Sequence, residues 1–131
     1  ECSDHYARAM ASYGGFIAAC GYESHGPKGH LGFAPRIHPE NFRAAFTAAE
    51  GWGTYSQKTN AGGIEAEVSL KYGKLRIKTL ALECASGTSA TSNVGGVEVK
   101  TTFTRTGKRI LLTFDRDVEI PAGETLRVLV R

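Results

Sequence analysis

Three successive patterns of hydrophobic and polar positions divide the chain. From Ser3 to Cys20, the residues Tyr6, Met10, Tyr13, Ile17 and Cys20 recur at steps of four and three, which puts them on one side of a helix. Ser3 or Asp4 can cap its first turn, and Gly21 can take the left-handed conformation that ends it. Gly14 and Gly15 inside this pattern each cost about 1 kcal/mol relative to alanine, so a close neighbour or a kink is expected there. Together with Ala7, Ala11, Ala18 and Ala19 they permit close approach of another helix, and the apolar stripe requires a surface to cover it.

The second pattern has no sustained period. Gly21 to His38 holds four glycines and two prolines, which predicts an ordered loop with at most a short strand near Leu31 to Ala34. Pro39 suits the first position of a helix, and Phe42, Phe46 and Ala49 mark a helical side through Glu50. Gly51 and Gly53 stop that helix.

Beyond Trp52 the period becomes two. Ile64, Ala66, Val68 and Leu70 alternate with polar residues, and Tyr72-Gly73-Lys74 reads as the turn of a hairpin into Leu75, Ile77 and Thr79. The apolar phase then slips at Leu80 and Leu82, which predicts a bulge or a strand buried on both sides. Ala85 to Gly96, ASGTSATSNVGG, reads as a solvated loop. Val97 to Phe103 and Ile110 to Phe114 form a second hairpin across Thr106-Gly107-Lys108, and Val118 and Ile120 pair with Leu126 to Val130 across Pro121 to Glu124. The fold expected is therefore α+β: an N-terminal amphipathic helix, an ordered loop with a short helix, and an antiparallel β-sandwich of about six strands. The boundary falls at residue 57, with a helical segment and connector over 1–57 and the sandwich over 58–131.

The composition narrows the function classes. At 131 residues, 41% hydrophobic and 22% charged, the chain suits one globular unit, and no apolar run approaches the ~20 residues of a membrane-spanning helix. A net charge of +3 with acids interspersed argues against a nucleic-acid partner. Cys2, Cys20 and Cys84 lack zinc-site spacing, and Cys2 and Cys20, ~27 Å apart along one helix, do not bridge. Reduced thiols point to a cytoplasmic setting. No metal or other cofactor is called for, since His25, His30 and His38 read as loop histidines. Without an initiating methionine or leader before the helix, the chain reads as a processed protein or part of a longer one.

Two groups of residues are candidates for binding. Glu50 lies where the short helix ends, with Trp52 two positions on, so a carboxylate that accepts sugar hydroxyls would stand beside an aromatic platform; a carboxylate at a helix C-terminus is otherwise disfavoured by the helix dipole. The bland alternative is a solvated glutamate and a core tryptophan. His5, Tyr6 and Arg8 crowd the start of the first helix beside Asp4 and could line a polar pocket, although Asp4 and Arg8 are also spaced for a surface ion pair and Tyr6 for the core.

The segments HYARAMASYG (His5 to Gly14), GPKGHLGFAPRI (Gly26 to Ile37) and FTAAEGWGTYSQ (Phe46 to Gln57) resemble the C-terminal end of large bacterial glycoside hydrolases of the β-glucosidase/glucosylceramidase kind, family 116 and its relatives. The resemblance covers roughly the first 57 residues. It implies that Ser3 to Gly21 is one of the last helices of an (α/α)6 barrel, that Thr47-Ala48-Ala49-Glu50-Gly51 is similar to a segment whose glutamate binds glucose hydroxyls, and that the partners are a carbohydrate and the remainder of a larger glycosidase chain. Glycoside hydrolysis ordinarily needs two carboxyl groups, and in the resembled enzymes both come from earlier in the barrel. The expected activity of this chain alone is therefore none, with no catalytic residue of its own. Two other readings stay open: an independent carbohydrate-binding or protein-interaction module whose platform is the sheet face or the Trp52/Tyr55 loop, and a homodimer joined through the helix stripe.

Overall fold

The computed structural model describes residues 3–131, with side chains from residue 7 onward. Helix α1 spans Ser3–Cys20 and ends at Gly21, whose φ of 56° is the left-handed turn the sequence predicts. Ten strands follow: β1 (Glu23–His25), β2 (His30–Phe33), β3 (Asn41–Thr47), β4 (Gly51–Asn60), β5 (Gly63–Glu83), β6 (Ala90–Val94), β7 (Val97–Val99), β8 (Thr101–Thr106), β9 (Arg109–Pro121) and β10 (Thr125–Val130). The chain is thus mostly β with one α-helix. Its strands form a mixed arrangement, because β2 runs parallel to β5 while the other pairs are antiparallel.

Strand β5 organises the molecule. Its first half pairs with β4 and β10, and its second half with β2 and β9. Strand β3 extends the first group beyond β4, and β6 and β7 extend it beyond β10; β1 flanks β2 and β8 flanks β9. Both halves contribute to one core cluster, in which Ile64, Val68 and Leu70 join Ile77, Leu80 and Leu82. Leu31, Phe33, Phe46 and Tyr55 also belong to it, so residues on both sides of position 57 share a core. Phe33 and Tyr55 stack with ring centroids 3.8 Å apart and planes within 2°.

The structure corrects four sequence expectations. No helix covers 39–50; Asn41–Thr47 is a strand, with Phe42 and Phe46 turned inward and Arg43 and Ala45 outward. Residues four apart share a side in a helix and also in a strand, and pairing with β4 decides between them. Tyr72-Gly73-Lys74 is no hairpin turn either: β5 continues through it, with Gly73 at a φ of 74° bending the strand against the Glu50 carbonyl. The loop expected over 85–96 contains β6, whose Ser92 is buried. Finally, β9 and β10 do not pair with each other, since β10 inserts between β5 and β6. The phase slip before Leu80 is a register shift between Ile77 and Thr79, after which Leu80, Ala81 and Leu82 are all buried.

The C-terminal end of α1 is held to the strands. The Ala34 N–H donates to the carbonyl of Cys20 (3.1 Å) and the Arg36 N–H to that of Ala19 (2.9 Å). No described α1 side chain belongs to the core cluster, and within the stripe predicted to be covered Met10 and Tyr13 are each 58% exposed while Cys20 is buried. Nor does a close neighbour compensate for Gly14 and Gly15, since a Cβ at either would meet no described atom within 4 Å. Cys20 and Cys84 are free and buried, and burial pushes the Cys20 thiol up. Cys2 lies outside the described residues. No described helix is long and apolar enough to cross a membrane.

Candidate functional site

Glu50 lies in the three-residue connection between β3 and β4, where the Ala48 N–H donates to the Gly51 carbonyl (2.8 Å). The Glu50 carbonyl in turn accepts from the Lys74 N–H at 3.1 Å, which docks the connection on the bend of β5. That docking demands glycine at position 51, where a Cβ would lie 2.5 Å from the Tyr72 carbonyl oxygen. The Glu50 carboxylate is exposed, 3.9 Å from the Lys74 ammonium, which is also 3.8 Å from Glu119. At these distances in water the pairs are weak, and Glu50 keeps lone pairs free for an incoming hydroxyl group.

Glu50 forms one wall of a cleft of about 370 Å³. Gly26 and Pro27 of the 3₁₀ turn Gly26–Lys28 form another wall, and His30, Lys74 and Arg76 are also in the lining. Arg76 fixes the turn: its guanidinium donates to the carbonyls of Gly26 (2.9 Å) and Pro27 (3.2 Å) and to Asp117 (2.7 Å). The motif GPKGH thus becomes a wall of the Glu50 cleft, held by backbone acceptors.

His30 of the cleft lining also belongs to a polar relay that reaches residues distant in sequence. His30 contacts Thr79 Oγ1 through Nδ1 at 2.8 Å and Glu23 Oε2 through Nε2 at 3.3 Å. Glu23 also accepts both terminal nitrogens of Arg109 at 2.7 Å. In the tautomer that donates Nε2–H to the carboxylate, Nδ1 is left to accept from the Thr79 hydroxyl group. Arg109, then His30, against the opposing effect of partial burial, hold the Glu23 carboxyl down at about 2. The sequence of groups imitates a nucleophile-base-acid triad, but the backbone N–H groups beside Thr79 are not free to serve as oxyanion donors. The N–H groups of Lys78 and Thr79 both donate to the Gly29 carbonyl, at 2.7 and 3.0 Å, and so are already occupied. The relay is a structural tie across β1, β2, β5 and β9.

Trp52 is half exposed and sits directly opposite Thr47 on β3 and Tyr72 on β5. It faces outward from β4 and does not line the Glu50 cleft. Tyr55, by contrast, is fully buried; its hydroxyl donates to Gln57 Oε1 (2.6 Å), and it offers no surface to a ligand. Of the N-terminal group, Arg8 is exposed on α1, on a different element from Glu50 and Trp52. The side chains of His5 and Tyr6 lie outside the described residues, as does the expected Asp4–Arg8 pair. Among the described residues, no cluster of three or more His, Cys, Asp or Glu side chains is arranged for a metal ion. Glu40 is exposed beside His38 (3.2 Å).

No family model matches the chain, and no curated protein matches it.

Proposed function

We propose that this chain acts as the C-terminal segment of a carbohydrate-active enzyme of the β-glucosidase/glucosylceramidase kind. In this reading α1 packs into a helical barrel that carries the catalytic carboxyl pair. The strands form a sandwich-like brace, and Glu50 at the rim accepts hydroxyl groups of the bound sugar. The brace is not catalytic on its own.

The observation that supports this reading is the uncovered side of α1. Met10, Tyr13, Phe16 and Ile17 are all exposed on a helix whose end is fastened to the strands. Covering the remaining exposed area of four such side chains is worth on the order of 4 kcal/mol, and the open space at Gly14 and Gly15 allows a neighbouring backbone to come close. The Glu50 carboxylate, only weakly paired, is compatible with a hydroxyl-binding role. Incubation of the purified chain with an aryl β-glucoside tests the division of labour. No hydrolysis is expected; turnover that disappears in Glu50→Ala would overturn the proposal.

The same exposed stripe favours a second reading, in which α1 pairs with a second copy of the chain. Light scattering separates the two, since the second reading requires a dimer that Tyr13→Ser/Ile17→Ser dissociates.

A further inference from the structure

The outward faces of β3, β4, the first half of β5, β10 and β6 enclose a groove of about 740 Å³. Strand pairing arranges its side chains in rungs. One runs Asn41, Lys58, Glu65; the next runs Arg43, Ser56, Glu67, Arg127, Asn93; a third holds Thr54, Ser69 and Thr125. Beyond the third rung the cross-strand pair Trp52 and Tyr72, 50% and 67% exposed, continues the same face past the residues that line the groove. From Thr54 to Lys58 the groove follows β4 for four residues, about 13 Å at ~3.3 Å per residue, and Trp52 extends the face to about 20 Å, the length of a short oligosaccharide.

The charges in the groove are unequal. Arg127 donates to Glu67 at 2.8 Å, and the two neutralise each other. Arg43, Lys58 and Lys71 also line the groove, and among the described residues none of the three lies within ion-pair distance of a carboxylate. Against these three cations stands Glu65. Hydroxyl and amide groups from Thr54, Ser56, Ser69 and Asn93 supply both donors and acceptors between them. Aromatic faces just beyond one end, hydroxyl-matching groups along the floor and surplus cations are what a chain of sugar rings bearing carboxylates requires.

The geometry points to this groove as a binding site for an acidic, uronate-containing oligosaccharide, with Trp52 and Tyr72 stacking on one ring and Arg43 and Lys58 receiving carboxylates further along. The inference rests on the carbohydrate reading above for its ligand class and adds a second contact surface that shares no lining residue with the Glu50 cleft.

Calorimetric titration of the full chain with tetragalacturonate, and in parallel with cellotetraose and an oligoglutamate of equal charge, tests it. Tetragalacturonate is expected to bind, with an affinity that falls as salt is added. Arg43→Gln/Lys58→Gln is expected to weaken it by about tenfold or more, the loss of two charge-assisted contacts, and Trp52→Ala to weaken it as well, while Lys108→Gln, which removes a cation outside the groove, leaves it unchanged. Equal binding of cellotetraose would overturn the assignment of the cations, and equal binding of oligoglutamate would make the groove an acidic-peptide site instead. Binding lost in Glu50→Gln but kept in Arg43→Gln/Lys58→Gln would move the sugar to the Glu50 cleft and remove the groove proposal. No binding of tetragalacturonate also removes it, without touching the role of Glu50. Circular dichroism of each variant confirms that the strands are retained.

Discussion

Replacing Glu23 by glutamine removes one charge from the tie that joins β1 to β9 and leaves its shape. Glu23 accepts two hydrogen bonds of 2.7 Å from Arg109 and a third of 3.3 Å from His30. The bond from Arg109 is the largest cause that draws its carboxyl from 4.5 down to about 2. At face value a shift of that size is on the order of 3 kcal/mol. The side chain is 43% exposed, however, so solvent screening reduces the contribution to roughly 1–2 kcal/mol. Because the folded-state value is the depressed one, this stabilisation is present above 4.5 and drains away as the pH falls from there toward 2. Urea denaturation at pH 7 is therefore expected to show Glu23→Gln with a lower midpoint and an unchanged slope. Repeated down to pH 3, the same comparison should show the gap between the two proteins narrowing. A gap below about 0.3 kcal/mol at pH 7, or one that stays constant from pH 7 to pH 3, would refute the assignment of this pair as a stabilising tie.

Three further outcomes are expected. Tyr55→Phe deprives the buried Gln57 Oε1 of its donor while the Phe33 stack remains, and denaturation should show a loss of about 1–3 kcal/mol. Gly73→Ala places a Cβ against the Glu50 carbonyl at a φ of 74°, so a thermal melt should fall by an amount equivalent to at least about 1 kcal/mol, with the Glu50 connection displaced. Tyr13→Ser/Ile17→Ser on the exposed side of α1 should leave urea unfolding of the isolated chain within about 0.5 kcal/mol of the parent, because neither residue belongs to the core cluster.

The helix and most of the late strands were legible because their signals are local. Gly21 ends α1 where its sequence suggests, and the turns at Gly107 and Gly123 fall where glycine marks them. What was not legible depends on partners distant in sequence. In β5 the inward residues shift from even to odd numbers between Leu70 and Leu75, and back again between Ile77 and Leu80. The first shift is an irregularity opposite Trp52 and Gly53, where Lys71 is the extra residue, and it looks from sequence like the end of a strand. Polar composition likewise concealed β6, whose place is set by pairing with β10. In the site, the closeness of Glu50 to Trp52 was evident, but their separation onto different surfaces follows from the strand that replaced the expected helix. Of the cleft-building cations, Lys74 lies within the supposed hairpin turn and Arg76 beyond it, and the Glu23–Arg109 pair spans 86 residues.

The claim that α1 and Glu50 serve a larger glycosidase is tested most directly by the intact mass and light scattering of the protein isolated from its native source. The account predicts that these residues occur within a longer polypeptide, or in a tight complex with one, that hydrolyses a β-glucoside and loses affinity for it when Glu50 is changed to alanine. A stand-alone monomer with α1 uncovered, or a dimer of this chain alone, would contradict it.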